Sequence, residues 1–357
     1  MKIGILGAGQ LGRMLALAGY PLGMRFRFFD PSPDSPANLL ADHLTADYAD
    51  EPALRRFVDG LDVVTYEFEN VPVLVARFLE QFVPVYPPPN ALEKAQDRLV
   101  EKTFFSDLGI PTPAFTIELG GELSSVGYPA VLKTRRMGYD GKGQFVVRSQ
   151  TDLADALAQL AGQDLILEQF IPFERELSIV CARGRDGAVV FYPLAENTHR
   201  EGILRLSIVD PARFDQRLQS QAESYARAVL DALDYVGVLA IEFFEKDGQL
   251  LANEMAPRVH NSGHWTMDGA ITSQFENHIR AVCGLPLGST SPLGACAMLN
   301  LVGQIPDAAS ILNIAGAHLH LYDKAPRAGR KVGHINLVAD SRKILNQKIG
   351  EVQKYVG

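Results

Sequence analysis

The sequence predicts a chain of mixed α/β and α+β architecture that opens on a Rossmann-like domain. Its first ninety residues alternate short apolar runs with helical periodicities, the pattern of a parallel sheet covered on both faces. The proline-rich stretch Pro84–Asn90 ends that pattern, because proline removes a backbone donor and constrains the residue before it. Beyond Pro113 the texture changes to hairpins and short helices. A length of 357 residues leaves room for two or three domains. Boundaries near Ala91 and Leu285 give three, over 1–90, 91–285 and 286–357.

Lys2–Leu6 reads as a strand and Gly7–Gly12 as a glycine turn, with Leu11, Met14, Leu15 and Ala18 on one face of a helix. A second strand, Arg25–Phe29, ends in Asp30, and a third, Leu61–Tyr66, ends in Glu67-Phe68-Glu69. Ligands of such sheets sit outside the carboxyl ends of the strands, so Glu67 and the Gly7 turn are expected at one crevice. A helix is expected over Ala91–Leu108, stopped by Gly109. Strands at Tyr128–Lys133 and Gln144–Arg148 flank the loop Arg135–Gly143, and Leu153, Ala156, Leu157 and Leu160 mark an amphipathic helix. Asp164–Glu168, Glu176–Ala182 and Ala188–Leu194 are further strands, and Gln216–Leu233 is a long helix. Val238–Phe244 and Gln249–Glu254 flank an Asp247-Gly248 turn, a strong hairpin signal. After Leu285-Pro286 a smaller unit of strand-like segments runs to the end.

Composition narrows the function. Lys and Arg number 34 against 42 Asp and Glu, a net charge of −8, so the basic footprint of a nucleic-acid binder is missing. The 3 cysteines are too widely spaced for a CxxC motif, which argues against a disulfide scaffold or structural zinc. No apolar run reaches the ~18 residues of a membrane helix, and the N-terminus reads as a first strand and not as a signal peptide. A cytoplasmic location is expected.

Four motifs carry chemistry. Gly7, Gly9 and Gly12, with Asp30 further on, form a G-x-G-x-x-G fingerprint that taken alone suits a dinucleotide, since backbone N–H groups at a helix N-terminus attract an anion. The loop from Lys133 to Gln144 holds three glycines and four cations between two strands, more than a plain hairpin needs and suited to closing over phosphates. Glu242 interrupts an apolar strand, and Asn253 and Glu254 lie on the partner strand. A two-residue loop at Asp247-Gly248 would put the two carboxylates on opposite faces, whereas an odd loop would bring them together as oxygen ligands for magnesium. The polar segment Arg258–Trp265 and the basic stretch Lys324, Arg327, Arg330 and Lys331 complete the set.

A glycine loop between antiparallel strands and a carboxylate hairpin describe ATP held in a clamp, not hydride transfer. At this point the chain resembles the ATP-grasp superfamily, and within it the 5-(carboxyamino)imidazole ribonucleotide synthase family, ATP-dependent bicarbonate ligases of purine biosynthesis. The resemblance rests on GAGQLGRM, TYEFENVP at Thr65–Pro72, RRMGYDGKGQ, EQFIPFERELS at Glu168–Ser178, VFYPLAENTHREGILR at Val190–Arg205, NEMAPRVHNSGHWT at Asn253–Thr266 and YDKAPRAGRKVGHIN at Tyr322–Asn336. These segments span nearly the whole chain in order.

The resemblance implies a pre-ATP-grasp first domain, a central ATP-grasp domain with its lid around 126–180, and a small β-rich C-terminal domain. It implies that Arg98, Lys133, the loop Gly138, Tyr139, Asp140, Gly141, Lys142, Gly143 and Gln144, and His199 hold the ATP phosphates. Glu168, Gln169, Phe170 and Ile171 would hold adenine and Glu176 the ribose, with Glu242 and Glu254 carrying magnesium beside Asn253. The 5-aminoimidazole ribonucleotide would meet Gln10, Leu11, Glu67, Tyr139, Asp140, Lys142, Arg258, His260, Asn261 and Ser262, and its phosphate Lys324, Arg330 and Lys331. Glu67, Asp140, Lys142, Arg258 and His260 would act in the chemistry, Glu67 by orienting or deprotonating the amine. In this family the first glycine turn serves the ribonucleotide, against the dinucleotide reading. A homodimer is implied, and since no mutase domain is fused here, the product would pass to a separate mutase. The competitors are a formate-dependent glycinamide ribonucleotide ligase, an NAD-dependent oxidoreductase and a non-catalytic nucleotide-binding module.

Overall fold

The computed structural model describes the chain except for residues 120–125, 139–140, 211, 213–214 and 357. Four parallel strands open the fold, in the spatial order Asp42–Thr45, Arg25–Asp30, Lys2–Leu6, Val63–Tyr66. Alternation along the strands sends Ile3, Ile5 and Phe28 into one core and Leu6, Phe29 and Val64 into another, as a sheet covered on both faces requires. The edge strand Asp42–Thr45 escapes sequence reading because its DHLT has neither an apolar run nor alternation.

The inner core of this sheet does not stop at the domain boundary. Leu11, Met14 and Leu15 pack with Phe275, Ile279 and Trp265 of the central domain. The buried His278 ring bridges the two bodies, bonded to Thr65 Oγ1 at 2.8 Å and accepting the Val238 N–H at 3.1 Å.

The single helix expected over Ala91–Leu108 is two, Pro89–Ala95 and Arg98–Asp107. Asp97 between them is extended (φ −131°) and its carboxylate accepts the Leu99 N–H, so a capping residue restarts the helix inside the span expected to be continuous. A four-stranded antiparallel sheet follows, ordered Phe115–Thr116, Leu165–Gln169, Ala130–Thr134, Gln144–Val147.

The central sheet is antiparallel throughout and nine-stranded. It runs from the edge strand Gln249–Ala256 through Gly237–Lys246, Arg175–Arg183, Ala195–Arg200, Ile203–Val209, Ala295–Val302 and Lys331–Ala339 to Ala317–Leu321. The strand expected at Ala188–Leu194 shortens to Val189–Phe191, paired outside this path. Two expectations for the C-terminal unit change: its strands extend the central sheet, and the chain closes with a helix, Arg342–Val356. Leu345, Ile349 and Val352 recur at i, i+4 and i+7 and bury against Leu299, Ile335 and Leu337.

Candidate active site

The glycine turn of the first domain is occupied from within. Glu67, at the carboxyl end of its strand, accepts the Gly9 N–H at 2.7 Å on Oε1 and the Gly12 N–H at 2.9 Å on Oε2. Its carboxylate sits where an anionic ligand would meet the helix N-terminus. Glycine at position 9 permits the approach, since a Cβ there would lie 2.5 Å from Glu67 Oε1. Burial pushes the Glu67 carboxyl above its ordinary range, against the pull of the two N–H groups. Asp30, the acid placed for a ribose hydroxyl, accepts the Ala8 N–H at 3.0 Å and the Ser32 N–H at 2.7 Å. A dinucleotide would find both recognition groups engaged.

The carboxylate hairpin resolves the question of register. Its loop is the two-residue Asp247-Gly248 turn, both residues at positive φ as a type I′ turn demands, and Lys246 pairs with Gln249. That spacing alone would set Glu254 on the far face from Glu242. A β-bulge at Asn253 corrects it: Phe243 pairs with Ala252, but Glu242 pairs with Glu254. Glu242, Asn253 and Glu254 consequently line one cleft. Burial and the neighbouring Glu254 raise the Glu242 carboxyl, whereas for Glu254 burial is outweighed by Arg98, whose Nη1 donates to Glu254 Oε2 at 2.8 Å, and its pKa falls. Asn253 Oδ1 is buried without a hydrogen-bond partner. Two carboxylates and a spare amide oxygen fit a hard cation completed by water and phosphate. Among the described residues no group of three or more His, Cys, Asp or Glu is placed to hold a metal ion.

That cleft, about 260 Å3, has a cationic end and an apolar end. Val131, Val146, Ile171 and Phe244 line the apolar end, where Phe244 stacks on Phe173 with centroids 4.9 Å apart. At the other end Lys133 Nζ meets Glu168 Oε2 at 2.9 Å, and Lys102, which sequence reading missed, reaches the same oxygen at 3.1 Å. The Glu168 side chain is thus a buried counter-ion to two lysines, and burial lowers the Lys133 pKa. Glu176 Oε2 bonds His199 Nδ1 at 2.7 Å; burial opposes the charged ring, but this hydrogen bond and the charges of Glu242 and Glu176 outweigh it and the His199 pKa rises. Of the glycine-loop cations, Arg135 and Arg136 pair with Asp97, at 2.8 and 3.2 Å, Arg135 also bordering the neighbouring cleft, so the loop base is anchored by the cap of the helix Arg98–Asp107. Gly141, Lys142 and Gln144 line this cleft, Gly138 the neighbouring one and Gly143 neither; Tyr139 and Asp140 lie outside the described residues.

A second cleft of about 630 Å3 lies between all three sequence regions. Gln10, Leu11, Glu67, Lys142, Arg258, His260, Asn261, Lys324, Arg330 and Lys331 line it, as do Glu69, Arg327 and Tyr322. Lys324 donates to Gln10 Oε1, joining the C-terminal basic stretch to the first helix. Arg258 Nε donates to Glu69 Oε2 at 2.5 Å. Ser262 lines neither cleft: its wholly buried hydroxyl bonds His260 Nδ1 and Ser178 Oγ, each at 2.8 Å. It therefore stands behind His260, contrary to its expected contact with the ribonucleotide. Since the Ser262 N–H also donates to Nδ1, the neutral ring carries its proton on Nε2, 3.7 Å from Glu242 Oε1. Burial, then the Arg258 charge, pull the His260 pKa down to about 3.

Arg98, Lys142, Glu242 and Glu254 line both clefts and form their common wall. A nucleotide-sized slot ending in cations and carboxylates, set against a second cationic cleft, defines an ATP-grasp ligase. Residues 103–275 match the ATP-grasp domain family, 1–96 the ribonucleotide synthetase preATP-grasp domain, and 296–348 the phosphoribosylaminoimidazole carboxylase C-terminal domain. The chain is 55% identical over 361 residues to the N5-carboxyaminoimidazole ribonucleotide synthase of Pseudomonas aeruginosa, covering 100% of this chain and 99% of that one. The crystal structure of N5-carboxyaminoimidazole ribonucleotide synthetase from Thermus thermophilus superposes with a TM-score of 0.95 at 57% identity, covering 99% and 98% of the two chains. The Aspergillus clavatus N5-carboxyaminoimidazole synthase, solved with ADP and 5-aminoimidazole ribonucleotide, gives a TM-score of 0.90 at 31% identity, covering 99% and 98%. The chain belongs to the N5-carboxyaminoimidazole ribonucleotide synthase family.

Proposed function

We propose that the chain carboxylates the exocyclic amine of 5-aminoimidazole ribonucleotide, using bicarbonate and ATP and releasing ADP and phosphate. The observation that carries this reading is the common wall. A nucleotide whose base occupies the apolar end of the smaller cleft directs its terminal phosphate at Arg98, Lys142, Glu242 and Glu254, which also face the larger cleft. Bicarbonate attacking there gives carboxyphosphate beside the ribonucleotide.

The chain's residues act mainly by positioning and charge. Arg98, Lys133 and Lys142 offset the phosphate charge, Glu176 and His199 flank the nucleotide, and Lys324, Arg330 and Lys331 hold the ribonucleotide phosphate. Magnesium on Glu242 and Glu254, beside Asn253, would screen charge on the transferred phosphoryl group. Neutral His260, its Nε2–H toward the common wall, offers a hydrogen-bond donor that stays uncharged at neutral pH. Glu67, fixed by two backbone N–H groups, is held as an acceptor for the substrate amine. The Gly138–Gln144 loop is assigned the lid that keeps water from carboxyphosphate. A cytoplasmic homodimer and a separate mutase that takes the product belong to the same reading and rest on the family resemblance.

The test is ADP release with and without 5-aminoimidazole ribonucleotide and bicarbonate. Stimulation that needs both is the expected result, and a rate indifferent to either substrate overturns the reading.

A further inference from the structure

Arg98, Glu101 and Lys102 stand at i, i+3 and i+4 on one helix, so their side chains leave the same face. That face packs on the edge strand Gln249–Ala256. An edge strand presents backbone groups that no strand satisfies, and a bulge leaves its extra residue outside the ladder. Here the helix supplies the missing partners. Lys102 Nζ donates to the Asn253 carbonyl at 2.8 Å, Arg98 Nη1 donates to the Glu254 carboxylate at 2.8 Å, and Glu101 Oε1 accepts the Met255 N–H at 2.7 Å. Three consecutive residues of the bulged segment are each held by one side chain of a single helical face.

We propose that Glu101 and Lys102 are positioning residues of the cation site. They fix the backbone on either side of Glu254, so that the bulge presents Asn253 and Glu254 together to Glu242. The proposal rests on the reading of Glu242, Asn253 and Glu254 as the magnesium site. Both side chains are buried, and Lys102 lines neither cleft, so it acts on ligands only through what it holds. Lys102 also shares the Glu168 carboxylate with Lys133, which ties the cation site to the phosphate-facing lysine.

The test measures Mn2+ binding to the full chain at saturating ADP, with the free ion followed by electron paramagnetic resonance and no turnover involved. Lys102→Met and Glu101→Leu are each expected to weaken Mn2+ binding by about 10- to 100-fold, the usual range for partners of metal ligands. Glu101→Gln, which keeps an oxygen for the Met255 N–H, is expected to recover most of that loss. Glu254→Gln is the control: if it leaves Mn2+ affinity intact, the magnesium reading itself fails. If Glu254→Gln weakens binding while either buried-residue variant binds Mn2+ as tightly as the wild type, the proposal is overturned, whatever its thermal midpoint. Should Lys102→Met not fold, Glu101→Leu decides alone, because it keeps the buried pairing of Lys102 and Lys133 with Glu168.

Discussion

Replacing Glu168 by Gln removes the one carboxylate that two buried lysines share while leaving the side-chain volume almost unchanged. Glu168 is 1% exposed, and its Oε2 stands 2.9 Å from Lys133 Nζ and 3.1 Å from Lys102 Nζ. Burial acts to raise its pKa, but the two lysines outweigh burial and hold it at about 2 instead of 4.5. At about 1.4 kcal/mol per tenfold change, that displacement corresponds to about 3 kcal/mol of native-state stability at neutral pH. Breaking a buried pair by removing one partner costs about 3–5 kcal/mol, so the two routes agree. The sign follows from linkage: a depressed carboxyl stabilises fully above its unfolded pKa and loses that contribution as pH falls through 4.5 toward about 2. About 2 kcal/mol of it is gone by pH 3. Urea unfolding followed by the fluorescence of Trp265, the single tryptophan and fully buried, reads the effect. Glu168→Gln is expected to lower stability by about 3 kcal/mol at pH 7 and by much less at pH 3. A variant as stable as the wild type at pH 7, or a deficit equal at both pH values, refutes the reasoning.

Gly9→Ala puts a methyl 2.5 Å from Glu67 Oε1 and is expected to raise KM for the ribonucleotide with little change in KM for ATP; equal effects on both would count against the placement of Glu67. Arg330→Ala is expected to weaken ribonucleotide binding by about 1.5–3 kcal/mol, the value of a charge-assisted bond, measured by calorimetry against an unchanged ADP affinity. His260, held at about 3, is expected to contribute no ionisation to kcat/KM between pH 5 and 9; an acidic limb near 6.5 that vanishes in His260→Asn would contradict it. Ser262→Ala removes a buried partner of His260 and is expected to lower kcat while leaving KM for the ribonucleotide within a factor of about two, whereas a direct contact would raise KM.

Three of the four strands of the first domain were legible because each is an apolar run ended by a turn, and many of the residues lining the two clefts fall in contiguous motifs. What sequence could not show was which charges face inward. Arg98, Glu101 and Lys102 carry the same i, i+3, i+4 spacing as a solvated helical stripe, and only the edge strand packed against them turns it into a set of anchors. Arg135 and Arg136 looked like phosphate ligands until Asp97 appeared as their partner across 38 and 39 residues.

The hairpin shows how local rules can each hold and still give the wrong sum. A two-residue turn at Asp247-Gly248 and strict alternation are both obeyed, and together they would separate the carboxylates. A single inserted residue, Asn253, reverses that outcome, and sequence offers no cheap signal for it, because a bulge on an edge strand is specified by what pairs with it from outside the sheet. The glycine turn of the first domain inverts the same lesson. Its fingerprint is complete, yet Glu67 and Asp30 already occupy the N–H groups and the acid that a dinucleotide would use. The motif specified a helix N-terminus ready for an anion, and the anion proved to be a side chain of the chain itself.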